Sequence, residues 1–266
     1  MTDTLTTLAL CWRIARRDGV TLGLTDHDRD LVIDGERYRA APGMTPSAIK
    51  RGDALTAETM DVSGALSDAA IRAGDLIDGR WDGAEISLFA VDWAGGDARV
   101  ALGAGVIGAV ALAGTGFTAE LKGIAAALEQ PVAEETAPHC RAELGDRRCR
   151  VAMAGRRRQV RVVAAEDAVL TLDTAEPAAN AYGHGLIRWL GGANAGLEGM
   201  IAASDGVTVT LRMPPRHPPA PGTLAELVEG CDKTIATCAG RFANARNFRG
   251  EPFLPGMDLL TRYPGA

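Results

Sequence analysis

Between residues 5 and 40 apolar and polar positions alternate, and the alternation breaks at Arg17-Asp18-Gly19, at a polar stretch from Asp26 to Asp30, and at Asp34-Gly35. A period of two puts successive side chains on opposite faces of an extended chain, and closely recurring turn residues mark antiparallel sheet. The segment therefore predicts four strands joined by three turns. The same texture returns in EISLFAVDW at 85–93, the strongest strand signal of the first half. It returns again after residue 150 in VRVVAAEDAVLTL, HGLIRWL, GMIAASDGVTVTLRM and TLAELVEG.

Two stretches depart from this pattern. In FTAELKGIAAALEQPV the apolar residues Leu121, Ile124, Ala125 and Leu128 fall at helical spacing and Pro131 ends the run, which predicts a helix over 117–130. A short helical turn is expected at Ser67–Ile71. Pro214, Pro215, Pro218, Pro219 and Pro221 form a rigid connector leading towards the end of the chain. The closing RFANARNFRGEPFLPGMDLL shows little period, yet it holds Phe242, Phe248 and Phe253, three of the five phenylalanines, and so predicts a packed irregular segment. The fold expected is mainly β, in antiparallel sandwich-like or barrel-like modules with one clear helix and an irregular C-terminal segment. An N-terminal module over 1–135 is followed by a second over 136–266.

Composition narrows the function classes. At 266 residues with 47% hydrophobic and 23% charged side chains, the chain has ample material for buried cores and no signature of disorder. A net charge of −6 gives no whole-surface attraction to nucleic acid, so direct nucleic-acid recognition is not expected. The N-terminus lacks a basic region ahead of its apolar patch and a small-residue cleavage pattern, unlike a signal peptide. The longest apolar run, VALGAGVIGAVALAG at 100–114, is too short for a membrane span and is interrupted by Gly103, Gly105 and Gly108. Synthesis and folding in a reducing cytoplasm are therefore expected, where clustered cysteines hold a metal more often than they form disulfides.

Four of the five cysteines come in two local pairs. Cys140 and Cys149 stand in CRAELGDRRC with eight residues between them, and Cys231 and Cys238 stand in GCDKTIATC with six. Cys11 is left over and reads as a strand residue facing the core. Four thiolates can close a tetrahedral zinc site or hold an iron-sulfur cluster. Zinc knuckles commonly place about two to four residues between paired ligands, because both sulfurs must turn onto one small ion. A larger cluster takes ligands from wider intervals, and Arg141, Arg147, Arg148, Arg150, Lys233 and Arg241 would suit its anionic character. Local disulfides or buried packing thiols also satisfy the spacing, so these residues alone leave the choice open.

TDHDRD concentrates Asp26, His27, Asp28 and Asp30, which suits acid-base or metal chemistry but equally a turn in which aspartates cap backbone amides. His139 adjoins Cys140 and could stand in for a zinc-binding cysteine. The glycines around His184 in NAYGHGLIRWLGGANAG lack the strand-to-helix context of a phosphate loop. His217 lies among prolines, and RRRQVR at 156–161 reads as a solvated hairpin turn in preference to a contact for nucleic acid or an acidic partner face.

GCDKTIATCAGRFANARNFRGEPFLPG resembles the C-terminal signature of tail-tip hub proteins of siphophages and gene transfer agents, and CRAELGDRRC resembles the first half of their cysteine set. The resemblance continues through LGLTDHDRDLVIDGERY, APGMTPSAIKRGD, ETMDVSG and the VDW, GVIGAV and FTAELKG segments. It implies a non-enzymatic virion structural protein at a particle's tail tip, where a hub, expected as a trimer, joins the distal tail ring protein to the central tail-tip protein. It also implies that Cys140, Cys149, Cys231 and Cys238 ligate a 4Fe-4S cluster, with zinc as the alternative, and that no small-molecule substrate is bound. The competing expectation is a redox or hydrolytic enzyme using the metal centre or Asp26, His27 and Asp28.

Overall fold

Period-two alternation does build sheet in both halves of the chain. The computed structural model describes residues 7–40, 45–46, 59–65, 71–94, 99–113, 116–123 and 134–254. The chain divides into two compact units, Met1–Val132 and Ala133–Ala266.

The first unit is a nine-stranded sheet. In chain order its strands are β1 (Leu8–Ala15), β2 (Thr21–Thr25), β3 (Leu31–Ile33), β4 (Glu36–Ala40), β5 (Thr45–Pro46), β6 (Thr59–Ala65), β7 (Glu85–Asp92), β8 (Arg99–Ala113) and β9 (Gly116–Gly123). They lie side by side as β3-β4-β2-β1-β7-β8-β9-β6-β5. Every pairing is antiparallel except β2 with β4. Asp34 and Gly35 both have positive φ, 53° and 80°, the backbone of a two-residue hairpin turn whose twist matches that of β3 and β4. Both faces of the central strands are apolar. Trp12, Ile14, Leu22, Leu24, Ile86 and Leu88 pack on one face with Leu76 and Trp81 from helix α1 (Ala73–Ile77) and the turn after it. Ala9, Cys11, Tyr38, Phe89 and Val91 pack together in a second cluster. Cys11 is fully buried there, its thiol donating to Thr25 Oγ1.

The helix expected over 117–130 is a correction. Residues 116–123 form β9, paired along its length with both β6 and β8. Phe117, Ala119 and Leu121 alternate with Thr118, Glu120 and Lys122, so the stretch satisfies the strand period as well as the helical one. Two neighbouring strands supply main-chain partners on both sides, and tertiary context decides such ambiguous segments. Residues 124–130 and Ser67–Ala70 lie outside the described residues. Among the described residues the helices are α1 and α2 (Ile235–Gly240), together with a 3-10 turn at Ala245–Asn247. No helix among them is long and apolar enough to cross a membrane.

The second unit is a closed antiparallel barrel. Strands β10 (Arg157–Glu166), β11 (Val169–Leu172), β12 (Leu186–Trp189), β13 (Glu198–Asp205), β14 (Thr208–Leu211) and β15 (Leu224–Val228) follow the order β10-β11-β14-β13-β12-β15. Alternate residues turn inward, among them Val160, Val162, Leu170, Leu172, Ile187, Trp189, Ile201, Val209, Leu211 and Leu227, and they fill the interior. Register shifts at Val162/Ala164 and Ile201/Ala203 supply the bends that a small barrel needs. The proline connector is pinned by the buried Asn194, which donates to His217 O at 2.6 Å and accepts from His217 N at 3.0 Å.

Barrel closure brings two distant stretches of chain together. β10 and β15 are neighbours, with Arg157 opposite Val228, and Glu229 N donates to Arg156 O at 3.0 Å to extend the ladder. The segment entering β10 and the segment leaving β15 therefore meet at one end of the barrel, although most of the second unit separates them in sequence.

Candidate metal centre

Those two segments carry the four paired cysteines. Cys140 N donates to Lys233 O at 2.8 Å, which joins the first segment to the second beside Cys231. Arg249 N in turn points at Cys140 Sγ, at 3.4 Å. Cys149 is set by Asp146, whose carboxylate accepts from the backbone N–H groups of Cys149 at 2.6 Å, Arg148 at 2.8 Å and Glu143 at 2.9 Å. Burial pushes the Asp146 pKa up, but these three donors outweigh it and hold the group below its ordinary value. Gly145 beside it has φ +82°, and a Cβ there would meet Met153 Cγ at 2.3 Å.

Cys231 leaves the barrel through a close approach of glycines. A Cβ on Gly230 would lie 2.1 Å from Gly183 O and 2.2 Å from Gly185 N, so the GHG motif at 183–185 is a seat for backbone. Lys233 N points at Cys231 Sγ at 3.4 Å, and Lys233 Nζ reaches across to Ala142 O at 2.6 Å and Glu143 at 3.0 Å. Cys238 sits on α2, which starts at the N-cap Thr234, whose Oγ1 accepts from Thr237 N at 3.2 Å. Asp232 reinforces that start by accepting from Thr234 N at 2.9 Å and Thr237 Oγ1 at 2.8 Å.

The thiols interact with one another. Burial raises the Cys238 pKa first, and the nearby Cys140, Cys231 and Cys149 raise it further. Like charges disfavour ionisation, so the other three sulfurs all lie within electrostatic reach of Cys238. Burial raises Cys231 as well. All five cysteines are free. A tetrahedral zinc site with bonds of about 2.3 Å requires sulfurs about 3.8 Å apart. Among the described residues no three His, Cys, Asp or Glu side chains close on a single ion in that way. N–H groups aim at three of the sulfurs, Arg249 N at Cys140, Lys233 N at Cys231 and Asn244 Nδ2 at Cys149.

A network that the sequence did not announce braces this end of the barrel. Glu229 is nearly buried and accepts from Arg156 and Arg241, each at 2.7 Å. Arg241 also donates to Gly230 O at 3.1 Å and Ala181 O at 2.8 Å, and both guanidinium groups lie over Phe242. The C-terminal stretch runs beside the Cys140 segment, with Arg141 N donating to Arg249 O and Glu251 N to Ala137 O. Arg141 grips Glu251 through two bonds of 2.7 and 2.9 Å, and this Arg141 contact leads the causes that lower Glu251 to a pKa of about 2. Asn244 and Asn247, three apart in NARN, are both buried here. Two amides inside an otherwise exposed polar stretch were the only signal available.

The remaining candidates are placed elsewhere or engaged otherwise. Asp26 Oδ1 accepts from Leu10 N at 2.7 Å, Thr25 Oγ1 accepts from His27 N at 3.3 Å, and Asp30 Oδ1 accepts from Ala40 N at 2.8 Å. His27 Nδ1 accepts from Arg29 N at 3.0 Å and its ring lies 4.9 Å from that of Trp93. TDHDRD thus closes the turn between β2 and β3. His139 and His184 are exposed, and His184 Nδ1 lies 3.3 Å from an Arg212 nitrogen.

With this geometry established, comparison with known proteins gives concordant results. The family model described as the baseplate hub protein, N-terminal attachment domain, matches residues 1–152. A second, described as phage conserved hypothetical protein BR0599, matches residues 180–258. No curated protein matches the chain. A chain from the solved structure titled "Virion of native gene transfer agent (GTA) particle" is 36% identical with a TM-score of 0.84, over 98% of this chain and 93% of that one. Matched over more than half its length by the first of these models, and similar in sequence and fold to the virion chain almost from end to end, this chain belongs to the baseplate hub protein family.

Proposed function

We propose that this chain is a structural hub at the tail tip of a phage-like or gene-transfer-agent particle, where a trimer joins the distal tail ring to the central tip protein and each subunit holds a 4Fe-4S cluster on Cys140, Cys149, Cys231 and Cys238. The near full-length likeness to a chain of a gene transfer agent virion carries the reading of a tail structural protein. The gathering of four free thiols at one end of the barrel supports the cluster. The role is architectural. No catalytic step is assigned to Asp26, His27 or Asp28; Asp26 and His27 accept backbone N–H groups in the turn, and Asp28 is exposed beside the His27 ring.

When bound, the cluster supplies a covalent cross-link between the two cysteine-bearing segments. Those segments bury few apolar side chains, and metal-ligand bonds add folding free energy that sparse contacts cannot match. The chain's own residues prepare the site. Asp146 shapes the Cys149 loop, Gly230 admits the Cys231 segment against the barrel, Thr234 starts the helix of Cys238, and Arg249 N faces Cys140.

Anaerobically purified protein is expected to be brown, with equal amounts of iron and acid-labile sulfide. Cys231→Ser and Cys238→Ser should abolish the colour, whereas Cys11→Ser, buried in the other unit, should leave it. Colourless protein with stoichiometric zinc would overturn the cluster, and loss of colour in Cys11→Ser would overturn the ligand set. Co-purification with distal-ring and central-tip proteins, and electron microscopy of the particles, test the assembly and the trimer.

A further inference from the structure

Asn244 touches two of the four cysteines at once. Its Nδ2 donates to Cys149 O at 2.6 Å and lies 3.8 Å from Cys149 Sγ, while its backbone N–H donates to Cys238 O at 2.9 Å. The chain reaches this position by reversing after α2 through Ala243, whose φ of +48° is a left-handed helix stop. Asn244 is 8% exposed, and the equally buried Asn247 donates from Nδ2 to Asn244 Oδ1 at 2.6 Å. That donation fixes which end of the Asn244 amide faces Cys149. Oδ1 is already an acceptor for Asn247, so the donor end must point to the carbonyl and sulfur of Cys149.

We infer that Asn244 is a positioning residue that presents Cys149 to the cluster and stabilises its reduced form, with Asn247 holding the amide in register. The inference rests on the cluster reading above. Hydrogen bonds to ligand sulfurs favour the more anionic, reduced state and so raise the reduction potential. Two further sulfur-directed donors among the described residues, Arg249 N and Lys233 N, belong to the backbone and survive any substitution except proline. Asn244 provides a side-chain donor to a cysteine sulfur, which makes it a point where sequence change can retune the site. A buried asparagine that served only to cap the turn after α2 would affect stability without affecting potential.

The test is the midpoint potential of the anaerobic full-length protein, read by absorbance and electron paramagnetic resonance, alongside iron and sulfide content and thermal unfolding. Asn244→Ala removes the donor and should lower the midpoint. Asn244→Asp keeps the shape but replaces the donor by a carboxylate, and should lower it further. Asn247→Ala leaves Asn244 free to turn and should give a smaller shift in the same direction. This last variant keeps the test decisive if substitutions at 244 prevent folding. Loaded variants that all keep the wild-type midpoint, whatever their stability, would overturn the inference and leave the cluster reading intact. Wild-type protein lacking iron and sulfide would remove the cluster reading itself, and this inference with it.

Discussion

Gly250→Ala puts a single methyl group where backbone already stands. The added Cβ would lie 2.5 Å from His139 O, 2.7 Å from His139 C and 2.9 Å from Phe248 Cε1. Two of these three atoms are main chain and cannot rotate away, so the Gly250 and His139 segments must part by close to an ångström to reach ordinary contact. The bonds flanking the contact, Arg141 N to Arg249 O at 3.0 Å and Glu251 N to Ala137 O at 2.8 Å, do not survive that movement. Two lost hydrogen bonds are worth about 1 kcal/mol each. Overpacking adds about 1–3 kcal/mol, and the entropy that alanine removes from the unfolded chain returns about 0.4–1 kcal/mol. The net is about 2–4.6 kcal/mol against the docked segment. Because the barrel does not depend on this contact, the strain should release by local opening before global unfolding. Trypsin reports it, since Arg246 and Arg249 are exposed within the segment. Cleavage there should accelerate by about thirtyfold to two thousandfold, at about 1.4 kcal/mol per tenfold. Gly240→Ala, where a Cβ meets nothing within 4 Å, is the control and should cleave at the wild-type rate. A Gly250→Ala protein as resistant as wild type would refute the argument that this glycine is required by close approach.

Acid should open the same clamp. Glu251 falls from an ordinary value of 4.5 to about 2 through Arg141 first and Ala137 N next, so its contribution is present above the unfolded-state value and is lost as pH falls towards about 2. The Ala137 amide resonance, whose N–H donates to Glu251 Oε2 at 2.9 Å, should titrate with that low midpoint, and Glu251→Gln should abolish the transition. A midpoint near 4.5 would contradict the pairing. In the first unit, His27→Ala removes one ring contact and one accepted hydrogen bond, and should change stability by about 1 kcal/mol with particle assembly intact. Normal assembly with lost infectivity or gene transfer would restore a chemical role to TDHDRD.

The strands were readable because the forces that form them are local. Alternation along Leu8–Ala15 and Glu85–Asp92, and a turn dipeptide such as Asp34-Gly35, specify extended chain before any partner is known. Barrel-like modules were expected, but which strands close the barrel was not readable, since that depends on β10 finding β15 from far along the second unit. The stretch from Phe117 to Lys122 was misread for a related reason. Its spacing satisfies two periods, and the flanking strands that settle the matter are remote in sequence. At the cysteine site, residue type pointed to the four thiols, because few side chains ligate soft metals. Asn244, Glu229, Gly230 and Gly250 gave no such signal. Each acts through a contact with a segment that barrel closure delivers, and an asparagine or glycine in a polar stretch looks the same with or without one.

Barrel closure also explains intervals that suit no short metal-binding knuckle. In a knuckle both ligands of a pair must turn onto one ion within a few residues, so sequence spacing dictates geometry. Here spacing within each pair serves other ends. The eight residues between Cys140 and Cys149 include Glu143 and Asp146, which grip Lys233 and the Cys149 loop. The six between Cys231 and Cys238 include Asp232 and Thr234, which begin α2. Geometry across the pairs is set instead by the β10–β15 ladder and its extension through Glu229 N to Arg156 O. The sheet thereby takes up much of the entropic loss of bringing the two segments together. The proposed cluster would then have only to secure a junction that the barrel has already placed.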